Sequence, residues 1–353
     1  MHTIEQAKSI LKKYFGYENF RDSQHEVISS FLNGNDVLAV MPTGGGKSIC
    51  YQIPSLLMDG VTIVISPIIS LMYDQVTALR RKGIKAEYIT SDMDIIQQGE
   101  IISKMIKNQT DFVYIAPERL KSNEFREALK RTKISFFAID EAHCISQWGH
   151  EFRPDYAKIN MMLTVIDKSQ NRKIQRIALT ASATPEVREE IIELSGLKNP
   201  SIIVKGFDRS NLSFFVHNPS SKKDTLINIL KEKRDQATIV YCSSRKKVNS
   251  CKDFIRSHGF TVESYHAGMD KNNRQKTQDD FLNDKFNILV ATNAFGMGVD
   301  KPNVRLVIHY DMPDSMESYY QEAGRSGRDG SPAECHLMSV SYTHLTLPTI
   351  YSV

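Results

Sequence analysis

Three consecutive glycines followed by lysine and serine, in Met41-Pro42-Thr43-Gly44-Gly45-Gly46-Lys47-Ser48, form a pattern that can hold phosphate. Glycines let main-chain N–H groups converge on phosphate oxygens along Thr43 to Gly46, and a helix behind them presents its positive end. Lys47 reaches the β- and γ-phosphates and Ser48 can ligate Mg²⁺. The strict pattern has glycine where this chain has Met41, so the match holds from Gly44 onward. A second constellation is Asp140-Glu141-Ala142-His143. Two adjacent carboxylates behind an apolar run need a partner once they are desolvated. A magnesium ion carried by a nucleotide is such a partner, with Asp140 holding it through water and Glu141 orienting and deprotonating an attacking water. The bland alternatives are a flexible loop that ends in Gly-Lys-Ser and an acidic helix start. Together, the two constellations specify nucleoside triphosphate hydrolysis.

Other residues fill out such a site. Ser23 and Glu26 have the spacing of a capping box, which puts Gln24 in the first turn of a helix near the phosphate loop. A glutamine amide pairs with the donor and acceptor on one edge of adenine, while Tyr17 or Arg21 could stack on its face. Behind the acidic pair comes Trp148, the only tryptophan, with Phe152, Arg153 and Tyr156 close by. Aromatic faces stack on unpaired bases and arginine adds phosphate or cation–π contact, each stack being worth roughly 1 to 3 kcal/mol. The plain alternative is a small core under a loop, for which Gly149, His150, Glu151 and Pro154 are poor material. Arg325 and Arg328, three apart in Tyr319 to Gly330, are expected on one face of a helix. An arginine offered to a γ-phosphate stabilises the charge of phosphoryl transfer.

The elements that must position these residues follow from periodicity. Apolar runs at 36–40, 61–65, 86–89, 112–115, 136–139, 176–179 and 202–204 read as strands, with helical stretches between them, as at 49–57. Thr3 and Gln6 form a capping box ahead of a helix whose apolar face is Ala7, Ile10, Leu11 and Tyr14. Polar residues 205–211 mark a boundary, after which runs at 238–242, 262–265, 288–291 and 305–308 restart the alternation. The expected fold class is α/β, with two domains that each hold a mostly parallel sheet flanked by helices. Ligands in such sheets sit beyond the carboxyl ends of the strands, which is where the chemistry-bearing residues fall.

The 353 residues suit two domains, and 41% hydrophobic with 24% charged residues is an ordinary globular composition. A net charge of +4 is too small to argue for nucleic acid by itself. Five cysteines without a C-x-x-C pair fit a reduced compartment and argue against zinc within this chain. No run of about eighteen apolar residues occurs, and the N-terminus is a polar helix, so a cytoplasmic protein without membrane contact is expected.

These motifs together, with Leu179-Thr180-Ala181-Ser182-Ala183-Thr184, resemble the superfamily 2 helicases, and His143 to Tyr156 narrows the resemblance to the RecQ family of DNA helicases. It runs from about Tyr14 to Ser339. It implies two tandem RecA-like domains, 1–206 and 207–339. It further implies adenine reading by Gln24, ATP and Mg²⁺ as cofactors, and an aromatic-rich loop that senses single-stranded DNA. Gln321, Arg325 and Arg328 join Lys47, Asp140 and Glu141 as catalytic residues, with Arg328 the finger that completes the site when the domains close. Ser66 and Arg119 of the first domain, and Ser243, Arg245, His266, Thr292 and Asn293 of the second, become DNA contacts alongside Trp148, Phe152 and Arg153. The implied partners are single-stranded and forked DNA, the implied movement is 3′ to 5′, and the implied state is a monomer at the bacterial nucleoid. Family members usually continue into a zinc-binding module and a winged-helix domain that helps open the duplex. An RNA-dependent ATPase or RNA helicase, and a non-catalytic nucleic-acid-binding module, remain as alternatives.

Residues 335–353 contain no Asp, Glu, Lys or Arg. Val340 to Thr349 also resembles the translation of a transposase adapter, so the native frame is expected to end near Ser339, with 340–353 a non-native tail; a natural apolar tail is the alternative.

Overall fold

Every residue of Val61–Ile65 and Ile134–Ile139 is buried, as strands covered by helices on both faces require. The computed structural model describes residues 2–42, 44–146, 153–205, 209–295 and 301–339. Tail residues 340–353 lie outside these. The chain divides into two units, Met1–Asp208 and Arg209–Val353.

In unit 1 the strands are β1 (Val37–Val40), β2 (Val61–Ile65), β3 (Ala86–Ile89), β4 (Phe112–Ile115), β5 (Ile134–Ile139), β6 (Arg176–Thr180) and β7 (Ser201–Val204), in the order β3-β4-β2-β5-β6-β1-β7. Their recorded pairings are all parallel. Successive side chains of a strand point to opposite faces, so each sheet carries two cores. Val37, Ala39 and Met41 pack with Phe31, Tyr51 and Phe136 on one side, while Leu38 and Val40 pack with Phe137, Ile139 and Leu163 on the other. Helices α1 (Ile4–Ile10), α2 (Asp22–Leu32), α3 (Ile49–Leu57), α4 (Ile69–Arg81), α5 (Ile95–Ile106), α6 (Asn123–Arg131), α7 (Ile159–Ser169) and α8 (Pro185–Ser195) make the connections. The Thr3–Gln6 capping box is present, with both reciprocal hydrogen bonds formed. The helix then widens into a π-turn over Leu11–Phe15 that Gly16 ends in the left-handed region, at φ 76°.

Unit 2 repeats the design with β8 (Leu212–His217), β9 (Ala237–Tyr241), β10 (Val262–Tyr265), β11 (Ile288–Ala291), β12 (Val304–His309) and β13 (Ala333–Met338), in the order β10-β11-β9-β12-β13-β8, again parallel. Helices α9 (Lys222–Glu232), α10 (Arg245–Ser257), α11 (Lys271–Leu282) and α12 (Met316–Ala323) flank it. Strands β8 and β13 were not expected from the sequence. They pair with each other from Leu212↔Ala333 to His217↔Met338, and β8 is an edge strand whose Phe214, Phe215 and Val216 are exposed.

The two sheets are thus tandem RecA-like folds, each with its strand carboxyl ends along one edge. No helix among the described residues is long and apolar enough to cross a membrane. Phe137, fully buried on the central strand β5, tests how much unit 1 depends on this core. Phe137→Ala should destabilise the unit by about 3–5 kcal/mol, read as a shifted midpoint in urea unfolding.

Candidate active site

The turn out of β1 is the stretch read above as a phosphate loop. Met41 is fully buried against Cys50, whose thiol lies 3.8 Å from the Met41 sulfur. Its backbone is not left-handed. Glycine is therefore not needed at this position, and a core side chain takes the place. Gly44 and Gly46 do carry left-handed backbones, at φ 77° and 72°, which L side chains rarely adopt. A Cβ at Gly46 would also overlap the Gln24 amide nitrogen. Lys47 donates to the Met41 carbonyl at 3.4 Å, and Ser48 sits at the N-cap of α3. Thr43 lies outside the described residues.

The Ser23–Glu26 capping box does not form. The helix begins earlier, at Asp22, and Gln24 closes it by accepting the Arg21 N–H at 3.0 Å. Gln24 is buried, and its Nε2 lies 3.3 Å from the carbonyls of both Gly45 and Gly46. Arg21 Nη1 donates to the Gly44 carbonyl at 2.6 Å. Residues assigned from sequence to the base thus grip the phosphate loop itself. Reading adenine requires Gln24 to exchange at least one of these bonds. Tyr17 is exposed.

Asp140 leaves the end of β5 buried, accepting the Glu141 N–H at 3.0 Å. Burial, and then the neighbouring Glu141, push its carboxyl up to about 7, while Lys47 pulls the other way. Glu141 has a left-handed backbone, φ 46°, and its Oε2 is enclosed without a hydrogen bond, 3.4 Å from His143 Nδ1. His143 Nδ1 is 2.9 Å from Thr180 Oγ1. Because that hydroxyl donates to the Ser182 carbonyl, Nδ1 is the donor to it. Thr180 O in turn accepts the Met41 N–H at 3.0 Å. The end of β6 therefore links the acidic motif to the phosphate loop, a role for Thr180 that its sequence type alone does not signal.

Trp148 and Phe152 fall outside the described residues. Tyr156, read with them as a base-stacking neighbour, is instead fully buried and donates to the Asp140 carbonyl at 3.1 Å. Arg153 anchors the loop's far end, with Nη1 donating to the Pro67 carbonyl at 2.6 Å. Ser66 is also buried, and its hydroxyl is enclosed without a hydrogen bond. Arg119 is half-buried over the Phe125 ring, and burial lowers its pKa.

Unit 2 gathers its residues at the ends of β9 to β12. Ser243 donates both its N–H and its hydroxyl to Asp311, each at 3.0 Å, and Lys247 binds the other Asp311 oxygen at 2.8 Å. Those bonds use up Ser243's donors and leave it none for a phosphate. Lys247 and Asp311 were not singled out from sequence. Arg245 is exposed and packs near Gly268. His266 is buried, with Nε2 3.4 Å from Asn249 Oδ1. Thr292 Oγ1 accepts the Ala294 N–H, and Asn293 is exposed. Gln321 is buried in α12, but Arg325 and Arg328 do not share a helix face. The helix stops at Ala323, Gly324 caps it, and both arginines lie in the following loop, where Gly327 is left-handed. Arg325 is buried and Arg328 half-buried.

Among the described residues no group of three or more His, Cys, Asp or Glu is arranged to hold a metal. Asp140 and the Ser48 hydroxyl nevertheless suit Mg²⁺, which binds proteins through one or two carboxylates and otherwise keeps water and phosphate oxygens. A buried carboxylate whose proton affinity is raised, beside an unbonded Glu141 oxygen, is a donor set that gains from a cation. The same burial predicts a trade-off. A carboxyl raised from 3.8 to about 7 in the fold costs nothing below about pH 4, where it is protonated folded or unfolded. The cost grows up to about pH 7 and is complete above it. Asp140→Asn should therefore abolish hydrolysis, yet raise the stability of the nucleotide-free protein at pH 8 by roughly 2–4 kcal/mol, with no gain at pH 3.5. Denaturant unfolding at the two pH values checks this.

Residues 21–191 match the DEAD/DEAH box helicase family and residues 221–330 the helicase conserved C-terminal domain. The ATP-dependent DNA helicase RecQ of Haemophilus influenzae is 44% identical over 94% of this chain and 53% of its own length. That of Bacillus subtilis is 44% identical over 95% of this chain and 56% of its own. The chain thus spans about half the length of these curated relatives. A solved structure of the Mycobacterium smegmatis helicase Lhr, bound to single-stranded DNA and AMP-PNP, aligns with a TM-score of 0.73 at 23% identity, over 94% of this chain and 47% of that one. At that identity it speaks for the fold alone. The phosphate loop, the acidic strand end and the arginine loop lie within the stretch shared with the two bacterial relatives, and the chain belongs to the RecQ family of helicases.

Proposed function

We propose that the chain is the motor of an ATP-dependent DNA helicase, hydrolysing ATP in response to single-stranded DNA. The observation that carries this reading is the buried Asp140, with Glu141 beside it, at the carboxyl edge of the sheet that also bears the glycine loop, within electrostatic reach of Lys47.

Main-chain N–H groups of Gly44 to Lys47 hold the β- and γ-phosphates, with Lys47 neutralising their charge. Asp140, through water, and Ser48 would hold Mg²⁺, which would offset charge on the phosphate oxygens. Glu141 orients and deprotonates the attacking water, with His143 adjusting its carboxylate from 3.4 Å. Arg328 of unit 2 supplies positive charge to the transferring phosphoryl group, and Arg325 and Gln321 support it. Trp148, Phe152 and Arg153 report the strand to Glu141 through the segment that joins them directly to 140–143.

On the nucleic-acid side, Arg119, Arg245, His266, Thr292 and Asn293 follow strand ends and belong to the strand's path, with Lys247 in place of the Ser243 hydroxyl held by Asp311; the enclosed Ser66 hydroxyl is set aside. Family membership supports 3′-to-5′ movement by a monomer on single-stranded and forked DNA, in the cytoplasm at the nucleoid.

The test is ATP hydrolysis with and without single-stranded DNA or RNA. DNA should stimulate by roughly tenfold or more and RNA far less. Lys47→Ala should lose turnover by about 10²–10³-fold, and Trp148→Ala should lose the stimulation. Equal stimulation by RNA would favour an RNA-dependent ATPase, and full turnover in Lys47→Ala a non-catalytic binding module.

A further inference from the structure

Between α12 and β13 the chain runs Gly324-Arg325-Ser326-Gly327-Arg328-Asp329-Gly330-Ser331. Three glycines leave this loop few side chains with which to hold itself. Its carbonyls are gripped instead by two residues at the start of unit 2. Arg209 Nη2 donates to the carbonyls of Ser326 at 3.0 Å and Gly327 at 2.9 Å, while Nη1 lies 3.4 Å from that of Gly324. Asn211 Nδ2 donates to the carbonyls of Gly327 and Ser331, both at 2.9 Å. Arg209 Nε also donates to Asn211 Oδ1 at 3.3 Å, so one side chain orients the other. The fit works in both directions, because Gly327 is left-handed and a Cβ on it would overlap the Asn211 amide. A guanidinium is a rigid, donor-only fork that remains charged, which suits it to fixing several carbonyls at once.

We propose that Arg209 and Asn211 are positioning residues for the arginine loop, holding it in the geometry that phosphoryl transfer requires without touching the nucleotide. The inference rests on the reading of Arg328 as the residue that meets the phosphoryl group. A misplacement of about 1 Å in a positioned charge can cost on the order of 10²-fold in rate, so a brace on the main chain of this loop acts on turnover more than on binding. The simpler role is structural, since the Asn211 carbonyl accepts the Ala333 N–H at 2.9 Å and so opens the pairing of β8 with β13.

Steady-state ATP hydrolysis by the full chain, with saturating oligo-dT, separates the two roles. In Asn211→Ala and Arg209→Lys, kcat should fall by roughly tenfold or more, while the KM for ATP and the Kd for oligo-dT stay within about twofold. Amide hydrogen exchange over 324–331 should quicken in both. Combining Asn211→Ala with Arg328→Ala should cost little more than Arg328→Ala alone, as expected of residues acting through one group. Arg209→Lys keeps the charge but loses the fork, and it reports even if Asn211→Ala does not fold. Folded variants with parental kcat, or a double variant whose losses multiply, would overturn the proposal while Arg328 keeps its role. Parental turnover in Arg328→Ala would remove that role, and this proposal with it.

Discussion

Burial of the Asp140 carboxyl at the end of β5, with Glu141 beside it, is the constraint around which unit 1 is arranged. Asp140 is buried because β5 is the central strand of a two-faced core, and Glu141 follows at once, adding like charge to the same enclosed space. Lys47 is felt from the phosphate loop, but it donates to the Met41 carbonyl, not to Asp140. Nothing in folding alone favours such a pair, since a buried charge is costly until it is paired. A cation brought to this end of the strand, such as the metal of the proposed nucleotide complex, would offset that cost.

The strands of the parallel sheets were legible because strands buried on both faces read as unbroken apolar runs, as in Val61–Ile65. The phosphate loop was legible because left-handed turns at Gly44 and Gly46 leave a glycine signature. What escaped depends on contacts between distant parts of the chain. Strand β8 is half-solvated at an edge, and its partner among the described residues, β13, lies some 120 residues further on, with Leu212 opposite Ala333. Neither sequence carries the apolar run of a central strand. At α2 two capping patterns overlap, Arg21 with Gln24 and Ser23 with Glu26. The first forms because Gln24 also reaches Gly45 and Gly46, a tertiary contact that local spacing does not contain. The spacing of Arg325 and Arg328 suggested a helix face, whereas the glycines on either side of Arg325 and Ser326 turn the chain out of the helix.

Residue type also does not tell which way a side chain points. Tyr156 and Ser66 both have the chemistry of nucleic-acid contacts, and both turn their polar atoms inward, to the Asp140 carbonyl and into an enclosed space respectively. An aromatic hydroxyl serves a core as readily as a base stack. Only burial separates the two uses, and burial follows from the packing of the whole sheet. Tyr156 gains a different meaning from this, since its bond to Asp140 ties the end of the aromatic segment to the carboxylate motif.

The two glycine-rich loops share one physical solution. Each is held through its carbonyls by an arginine and a side-chain amide from a segment well before it: Arg21 and Gln24 on Gly44 to Gly46, Arg209 and Asn211 on Gly324, Ser326, Gly327 and Ser331. The pairing has a common cause. Glycine lets a backbone approach phosphate or turn sharply, but it gives up the side-chain contacts that would fix the turn, and its entropic cost must be met from outside. Carbonyls are the groups such a loop still offers, and donor-only guanidinium and amide N–H groups match them. Bonding a peptide's carbonyl also fixes the direction of the N–H in the same plane. In the first loop this sets the direction of the N–H groups of Gly45 to Lys47. In the second it fixes the Cα positions from which Arg325 and Arg328 extend. The precision of both loops therefore resides in residues that carry none of the chemistry.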